Sequence, residues 1–206
     1  MTKVKICGIR RVEDALLAAD LGASALGFIF WPSSPRFIDP ADAKRIAVAL
    51  PPFVTTVGVF VNQPAEHVIA VARQMNLDAI QLHGDEPVDD YAGGSHRMIK
   101  AVAVRNGHDC LSTVRAVPAR ATVLLDAHDP IKRGGTGRTI DWAQAEASAR
   151  LRPIILSGGL TADNVRGAVA AVRPYAIDVS SGVESSPGIK DPDKLRALFS
   201  ALEHES

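Results

Sequence analysis

The chain has 206 residues, with 23 Lys and Arg against 23 Asp and Glu, 47% hydrophobic residues and 22% charged ones, a composition that suits one soluble globular domain spanning residues 1–206. Zero net charge gives no general field for a nucleic-acid backbone or an anionic membrane, and an aromatic content of 5% offers little stacking surface, so neither kind of partner is expected. Two cysteines, Cys7 and Cys110, make neither a disulfide framework nor a CxxC site. The N-terminus meets charge at Lys3 and again at Arg10 and Arg11, unlike a signal peptide, and no run nears the ~20 apolar residues of a membrane span, so a cytoplasmic protein is expected.

Short runs rich in Val, Ile and Phe alternate with Ala-rich stretches of helical period along the whole chain. A strand at 4–7 leads to a helix at 12–21 that stops at Gly22, a residue suited to the C′ position. A strand at 25–30 precedes a helix at 40–50, with Asp39 as N-cap and Pro40 in its first turn. Strand 55–61, helix 64–75 and strand 79–82 follow. The stretch 84–95 reads as a poor helix because it holds Asp85, Asp89, Asp90, Gly93 and Gly94. Strand 98–104 comes next, then a second weakly helical stretch at 106–117 and a strand at 121–126. A helix at 141–149 starts on Asp141, strand 153–156 leads to a helix at 161–172 that starts on Thr161, and strand 175–179 leads to the closing helix at 191–202.

Eight strands with continuous apolar runs imply a parallel sheet buried on both faces, as a closed barrel or an open doubly wound sheet. The barrel is preferred because it uses every unit alike and no linker divides the chain. Such a barrel usually needs ~250 residues, with ~200 as its lower limit, so short loops are expected throughout.

Loops leaving the carboxyl ends of strands build the site in this class of fold. The pair Ser157-Gly158-Gly159 and Ser180-Ser181-Gly182, after the seventh and eighth strands, is the strongest signal. Glycines let backbone N–H groups approach an anion, serines add donors, and a following helix N-terminus adds a favourable dipole, so a phosphate site is expected there. Each loop taken singly also fits an ordinary turn. Cys7, ending the first strand beside Gly8, is a candidate reactive thiol, with an inert core cysteine as the alternative. Asp126 ends the apolar run Val123-Leu124-Leu125 and must be paired, hydrated or functional; as a general acid it would have to keep its proton at working pH. Arg36, in a Pro-rich loop near Trp31 and Phe37, can clamp a carboxylate bidentately or lie solvated on the surface. His83 reads as a rim histidine, Cys110 as structural, and the Gly-Gly-Thr-Gly loop at 134–137 as a mobile cover, since it lacks the Walker Lys-Ser/Thr.

These segments together resemble the phosphoribosylanthranilate isomerase family of tryptophan biosynthesis. The resemblance rests on Lys5-Ile6-Cys7-Gly8-Ile9, Gly27-Phe28-Ile29-Phe30 with Ser33-Ser34-Pro35-Arg36, Gln81-Leu82-His83-Gly84 and Leu125-Asp126. It continues in Gly134-Gly135-Thr136-Gly137 with Asp141-Trp142, Leu156-Ser157-Gly158-Gly159-Leu160 with Asn164-Val165, and Asp178-Val179-Ser180-Ser181-Gly182-Val183-Glu184 followed by Gly188-Ile189-Lys190-Asp191. The resemblance implies a compact (β/α)8 TIM barrel and an Amadori rearrangement of N-(5′-phosphoribosyl)anthranilate, with no metal or organic cofactor. It implies Asp126 as general acid, Cys7 as general base, Arg36 near the anthranilate carboxylate, and Gly158, Gly159, Ser180, Ser181 and Gly182 as the phosphate grip, with Asp178 counted among the substrate-binding residues. The expected partner is a phosphorylated small molecule, and the choice between monomer and homodimer stays open. A different phospho-sugar reaction and a silent phosphate-binding barrel are the competing readings.

Overall fold

The computed structural model describes residues 2–91, 96–104, 109–127 and 141–203. Eight parallel strands close into a barrel in sequence order: β1 (Lys3–Cys7), β2 (Ala25–Ile29), β3 (Thr55–Phe60), β4 (Ala79–Leu82), β5 (Arg97–Val104), β6 (Ala121–Ala127), β7 (Ile154–Leu156) and β8 (Ala176–Val179). β1 pairs with β8 as well as β2, with Lys5 opposite Asp178 on one side and Cys7 opposite Gly27 on the other. Among the described residues the helices are α1 (Val12–Asp20), α2 (Pro40–Val48), α3 (Ala65–Met75), α4 (Cys110–Ala116), α5 (Trp142–Leu151), α6 (Val165–Val172) and α7 (Pro192–Glu203). None of them is long and apolar enough to cross a membrane.

Local chemistry sets the helix starts. Asp39 accepts from Ala41 N at 2.8 Å, Asp141 from Ala143 N at 2.9 Å and Asp109 from Ser112 N at 3.2 Å, each satisfying an N–H that the helix leaves unpaired. The Asp109 cap organises a short helix within the weakly helical stretch 106–117. Two expectations are corrected. Of the stretch 84–95, the described residues 84–91 give a 3-10 turn at Val88–Tyr91 in place of an α-helix, anchored by the Tyr91 hydroxyl donating to Gln63 O at 2.6 Å. The helix expected from Thr161 starts at Val165, because Asn164 folds back to accept from Thr161 N and to donate to Gly159 O, fixing 161–164 as a loop. A two-stranded hairpin, β9 (Glu184–Ser186) and β10 (Ile189–Lys190), between β8 and α7 was not anticipated.

The core has two parts separated by the sheet. The larger lies between strands and helices and includes Ile6, Leu26, Phe28, Val123, Leu125 and Ile177. The smaller is formed by strand residues of opposite parity, Val57, Ala79, Ile99, Leu124, Ile155 and Ala176, and fills the barrel. Two residues further along their strands, the same parity delivers Gln81 after Ala79, Asp126 after Leu124 and Asp178 after Ala176. Leu124 is wholly buried, so Leu124→Ala is expected to lower the unfolding free energy by about 3 kcal/mol. Urea denaturation should record a lower midpoint with an unchanged slope.

Candidate active site

Cys7 ends β1 with 5% of its surface exposed and lies on the barrel-facing parity with Lys5. Gly27, opposite Cys7 on β2, makes room for both side chains: a Cβ there would lie 2.8 Å from Cys7 Sγ and 3.1 Å from Lys5 Nζ. The Lys5 ammonium donates to Asp178 Oδ1 at 2.8 Å and borders the same space as the Cys7 sulfur. Burial pushes the Cys7 thiol up, Asp178 pushes it the same way, and Lys5 and Lys190 offset only part of this. Burial pulls the Lys5 ammonium down, but Asp178 and Cys7 outweigh it and hold Lys5 above the ordinary lysine value.

Asp126, the last but one residue of β6, lies three strands away round the barrel and is buried. Its Oδ2 lies 3.1 Å from His83 Nε2, and His83 Nδ1 lies 2.9 Å from Gln81 Nε2. An amide nitrogen only donates, so in this arrangement His83 accepts at Nδ1 and carries its proton on Nε2, aimed at Asp126. His83 therefore belongs to the Asp126 group, a closer involvement than the rim position read from sequence.

Arg36 is buried, which removes the solvated-surface alternative, and its fork is already engaged. Nε donates to Glu184 Oε1 at 2.9 Å and Nη2 to Oε2 at 2.7 Å. Lys190, fully buried, donates to Glu184 Oε1 at 2.9 Å, to Cys7 O at 2.6 Å and to Ser180 O at 3.2 Å. Burial opposes ionisation of Glu184, but Arg36 and Lys190 reverse this and hold the carboxyl below its ordinary value; burial pulls the Lys190 ammonium down despite Glu184. The β9–β10 hairpin thus ties Arg36 to the carboxyl ends of β1 and β8.

The two glycine-rich loops meet. A Cβ on Gly182 would lie 1.9 Å from Leu160 O, so only glycine fits where the loop after β8 packs on the loop after β7. Gly158 and Gly159 both have positive φ, 92° and 64°. Ser181 and Gly182 lie in a three-residue 3-10 turn, and α6 begins only at Val165, beyond the loop that Asn164 holds; the helix dipole expected directly behind each loop is not there. The Ser180 hydroxyl oxygen is buried without a hydrogen-bond partner among the described residues, a donor aimed at the same mouth. The 134–137 loop lies outside the described residues. Cys110 is buried with its sulfur 3.9 Å from Ser148 Oγ, in keeping with a structural role. Among the described residues no three His, Cys, Asp or Glu side chains are grouped to hold a metal ion.

Sequence reasoning did not select Lys5, Glu184 or Lys190. The only available signal was a charged residue inside or beside an apolar strand, which the Lys5 position carries.

A family model described as N-(5′-phosphoribosyl)anthranilate (PRA) isomerase matches residues 4–201. A Geobacter metallireducens protein named N-(5′-phosphoribosyl)anthranilate isomerase is 50% identical, covering 97% of this chain and 98% of its own. The crystal structure of phosphoribosyl anthranilate isomerase from Thermotoga maritima superposes with a TM-score of 0.90 at 44% identity, covering 98% and 99% of the two chains. A structure of the same enzyme type in complex with reduced 1-(o-carboxyphenylamino)-1-deoxyribulose 5-phosphate gives 0.86 at 42% identity, with 98% and 99% covered.

Replacing Glu184 by Gln leaves Arg36 and Lys190 without their shared anion and is expected to cost about 3 kcal/mol at neutral pH, a Tm loss of roughly 6–12 °C for a chain of this size. A carboxyl held low stabilises the fold above its ordinary value of 4.5, and that contribution disappears as pH falls through its folded value. Thermal melts of both proteins should therefore differ most at neutral pH and converge in acid.

Proposed function

The chain belongs to the N-(5′-phosphoribosyl)anthranilate isomerase family, and on that basis we propose that it carries out the Amadori rearrangement of N-(5′-phosphoribosyl)anthranilate to 1-(2-carboxyphenylamino)-1-deoxyribulose 5-phosphate. The family relation makes it an isomerase of tryptophan biosynthesis. The observation that carries the finer reading is the pair Cys7 and Asp126, both buried at the carboxyl ends of strands of one barrel and both on the parity that faces its interior.

In this reading Asp126 gives its proton to the furanose ring oxygen, the ring C–O bond breaks, and a protonated imine forms. The Cys7 thiolate then removes the C2 proton, which the adjacent iminium makes acidic, and the electron pair moves to give an enolamine that tautomerises to the ketone. His83 supports the first step. With its Nε2–H on Oδ2, it stabilises the carboxylate left when the other oxygen has delivered the proton. The site supplies two further constraints: C2 must sit at the sulfur while the ring oxygen sits at Asp126, so the ends of the substrate must be held.

Arg36 supports a grip on the anthranilate carboxylate. Glu184 occupies one edge of the guanidinium, which leaves the end-on edge, formed by Nη1 and Nη2, for a second carboxylate. The meeting of Gly158 and Gly159 with Ser180, Ser181 and Gly182, and the unpartnered Ser180 hydroxyl, support a phosphate grip on the adjoining side. Lys5 fixes Asp178, so Asp178 can present its second oxygen to a ribose hydroxyl.

The test is turnover of N-(5′-phosphoribosyl)anthranilate by the purified protein, backed by growth of a tryptophan auxotroph lacking this isomerase. A folded, soluble protein that does neither overturns the proposal in favour of another phospho-sugar reaction or a silent binding barrel. Cys7→Ala and Asp126→Asn are each expected to lower kcat at least ~100-fold with an unchanged circular dichroism spectrum. Arg36→Ala is expected to weaken substrate binding about tenfold or more, seen as a raised KM, and Arg36→Lys should not restore it because the planar fork is lost. An unchanged kcat/KM in Arg36→Ala would remove the carboxylate grip.

A further inference from the structure

A lysine inside a barrel requires an explanation. Lys5 is 3% exposed, and the cluster that fills the barrel, Val57, Ala79, Ile99, Leu124, Ile155 and Ala176, is apolar. A buried ion pair such as Lys5 with Asp178 adds little to stability over an apolar pair of similar volume, because the desolvation of two ions offsets their attraction. Packing alone therefore does not account for an ammonium at this position. What the position does provide is nearness to the sulfur: Lys5 and Cys7 lie on the same face of β1, and a Cβ on Gly27 would lie 2.8 Å from Sγ and 3.1 Å from Nζ.

We propose that Lys5 is a positioning residue for the base, its ammonium held by Asp178 beside Cys7 so that it stabilises the negative charge the sulfur carries before it takes the C2 proton. The inference rests on the reading of Cys7 as that base and names the group that makes the thiolate attainable in a dry barrel.

The surroundings of the sulfur leave this role to few groups. β2 contributes Gly27, which has no side chain. β8 contributes Asp178, an anion that opposes the thiolate. β10 contributes Lys190, a cation whose three donors are committed to Cys7 O, Ser180 O and Glu184 Oε1 rather than to the sulfur, and whose backbone N–H is held by Asp14 of α1. Arg36, from the loop after β2, is turned onto Glu184 of β9. Lys5 is thus the ammonium placed beside the sulfur, in the space that Gly27 leaves open. Its charge works against the burial of the thiol, and Asp178 works on the side of burial.

The two neighbours therefore predict opposite signs. Removing the Lys5 charge should make Cys7 harder to ionise, and removing the Asp178 charge should make it easier. In a Cys110→Ser background, so that Cys7 is the single thiol, the ultraviolet absorbance of the thiolate is followed in the substrate-free protein from about pH 7 up to the highest pH at which circular dichroism shows the parent and variants folded. Lys5→Met should move the appearance of thiolate to higher pH and lower kcat at neutral pH about tenfold or more, while Lys5→Arg should recover much of both. Asp178→Asn should move the thiolate to lower pH. Lys5→Gln, which keeps a hydrogen bond to Asp178, replaces Lys5→Met where the latter does not fold. A folded Lys5→Met or Lys5→Gln whose Cys7 titrates as in the parent overturns the proposal. If Cys7→Ala turns over normally, the base assignment itself has failed; if Cys7→Ala is inactive and the Lys5 variants leave the titration unmoved, only the role of Lys5 has.

Discussion

Closing eight parallel strands into a ring forces every second side chain of every strand into one shared interior, and the rest of this structure depends on that constraint. Below, the interior must be filled, and Val57, Ala79, Ile99, Leu124, Ile155 and Ala176 fill it. Above, near the carboxyl ends, the same parity delivers side chains into the mouth that the loops leaving the strands surround, the end at which this fold builds its sites. Cys7, Gln81, Asp126 and Asp178 all obey this rule, each two residues from an inward neighbour on its own strand. A one-residue slip in β6 would turn Asp126 into the helix layer and bring Leu125 into the barrel mouth.

The upper layer is costly to fold because its polar groups are removed from water. The structure meets that cost by pairing them: Lys5 with Asp178, His83 with Asp126, and Glu184 with both Arg36 and Lys190. Pairs of this kind contribute little net stability, but loss of one member leaves a buried charge uncompensated. The described groups of the mouth are consequently tied to one another by their own pairs. Lys190 illustrates the point, since one ammonium holds the carbonyls of Cys7 and Ser180 together with the carboxylate that orients Arg36. Groups assigned to the base, the phosphate grip and the carboxylate grip are thereby fixed relative to one another by a single side chain, as orientation-dependent chemistry requires.

The barrel was legible in the sequence because its signals are local. Strand 79–82 agrees with β4 at both ends, and the Asp39 and Asp141 caps sit where a carboxylate followed by a helical period put them. Legibility failed where a non-local partner decided the outcome. The hairpin at Glu184–Lys190 contains no long apolar run; it forms because Glu184 meets Arg36, 148 positions away, and Lys190 meets Cys7, 183 positions away. Lys5 lies in a strand that reads well with or without it, and its partner Asp178 is 173 positions distant. The start of α6 was misplaced because Thr161 is a good N-cap by type, whereas Asn164 uses both ends of its amide to hold the preceding loop on Gly159 and Thr161.

The two halves of the mouth also differ in how they handle a proton. Around Cys7 burial weighs most, and an ammonium and a carboxylate act against and with it in the same dry volume. Around Asp126 the control is directional: Gln81 donates to Nδ1 of His83, so the imidazole presents Nε2–H to Oδ2 and cannot accept there without the Gln81 amide turning over. The Gln81 carbonyl oxygen, buried with no hydrogen-bond partner among the described residues, is the cost of that orientation. Such an arrangement places a donor on one oxygen of Asp126 and leaves its other oxygen to face the barrel mouth. The two groups are held independently, because Lys5 and Asp178, on β1 and β8, share no hydrogen bond with Gln81, His83 and Asp126, on β4, the loop after it and β6.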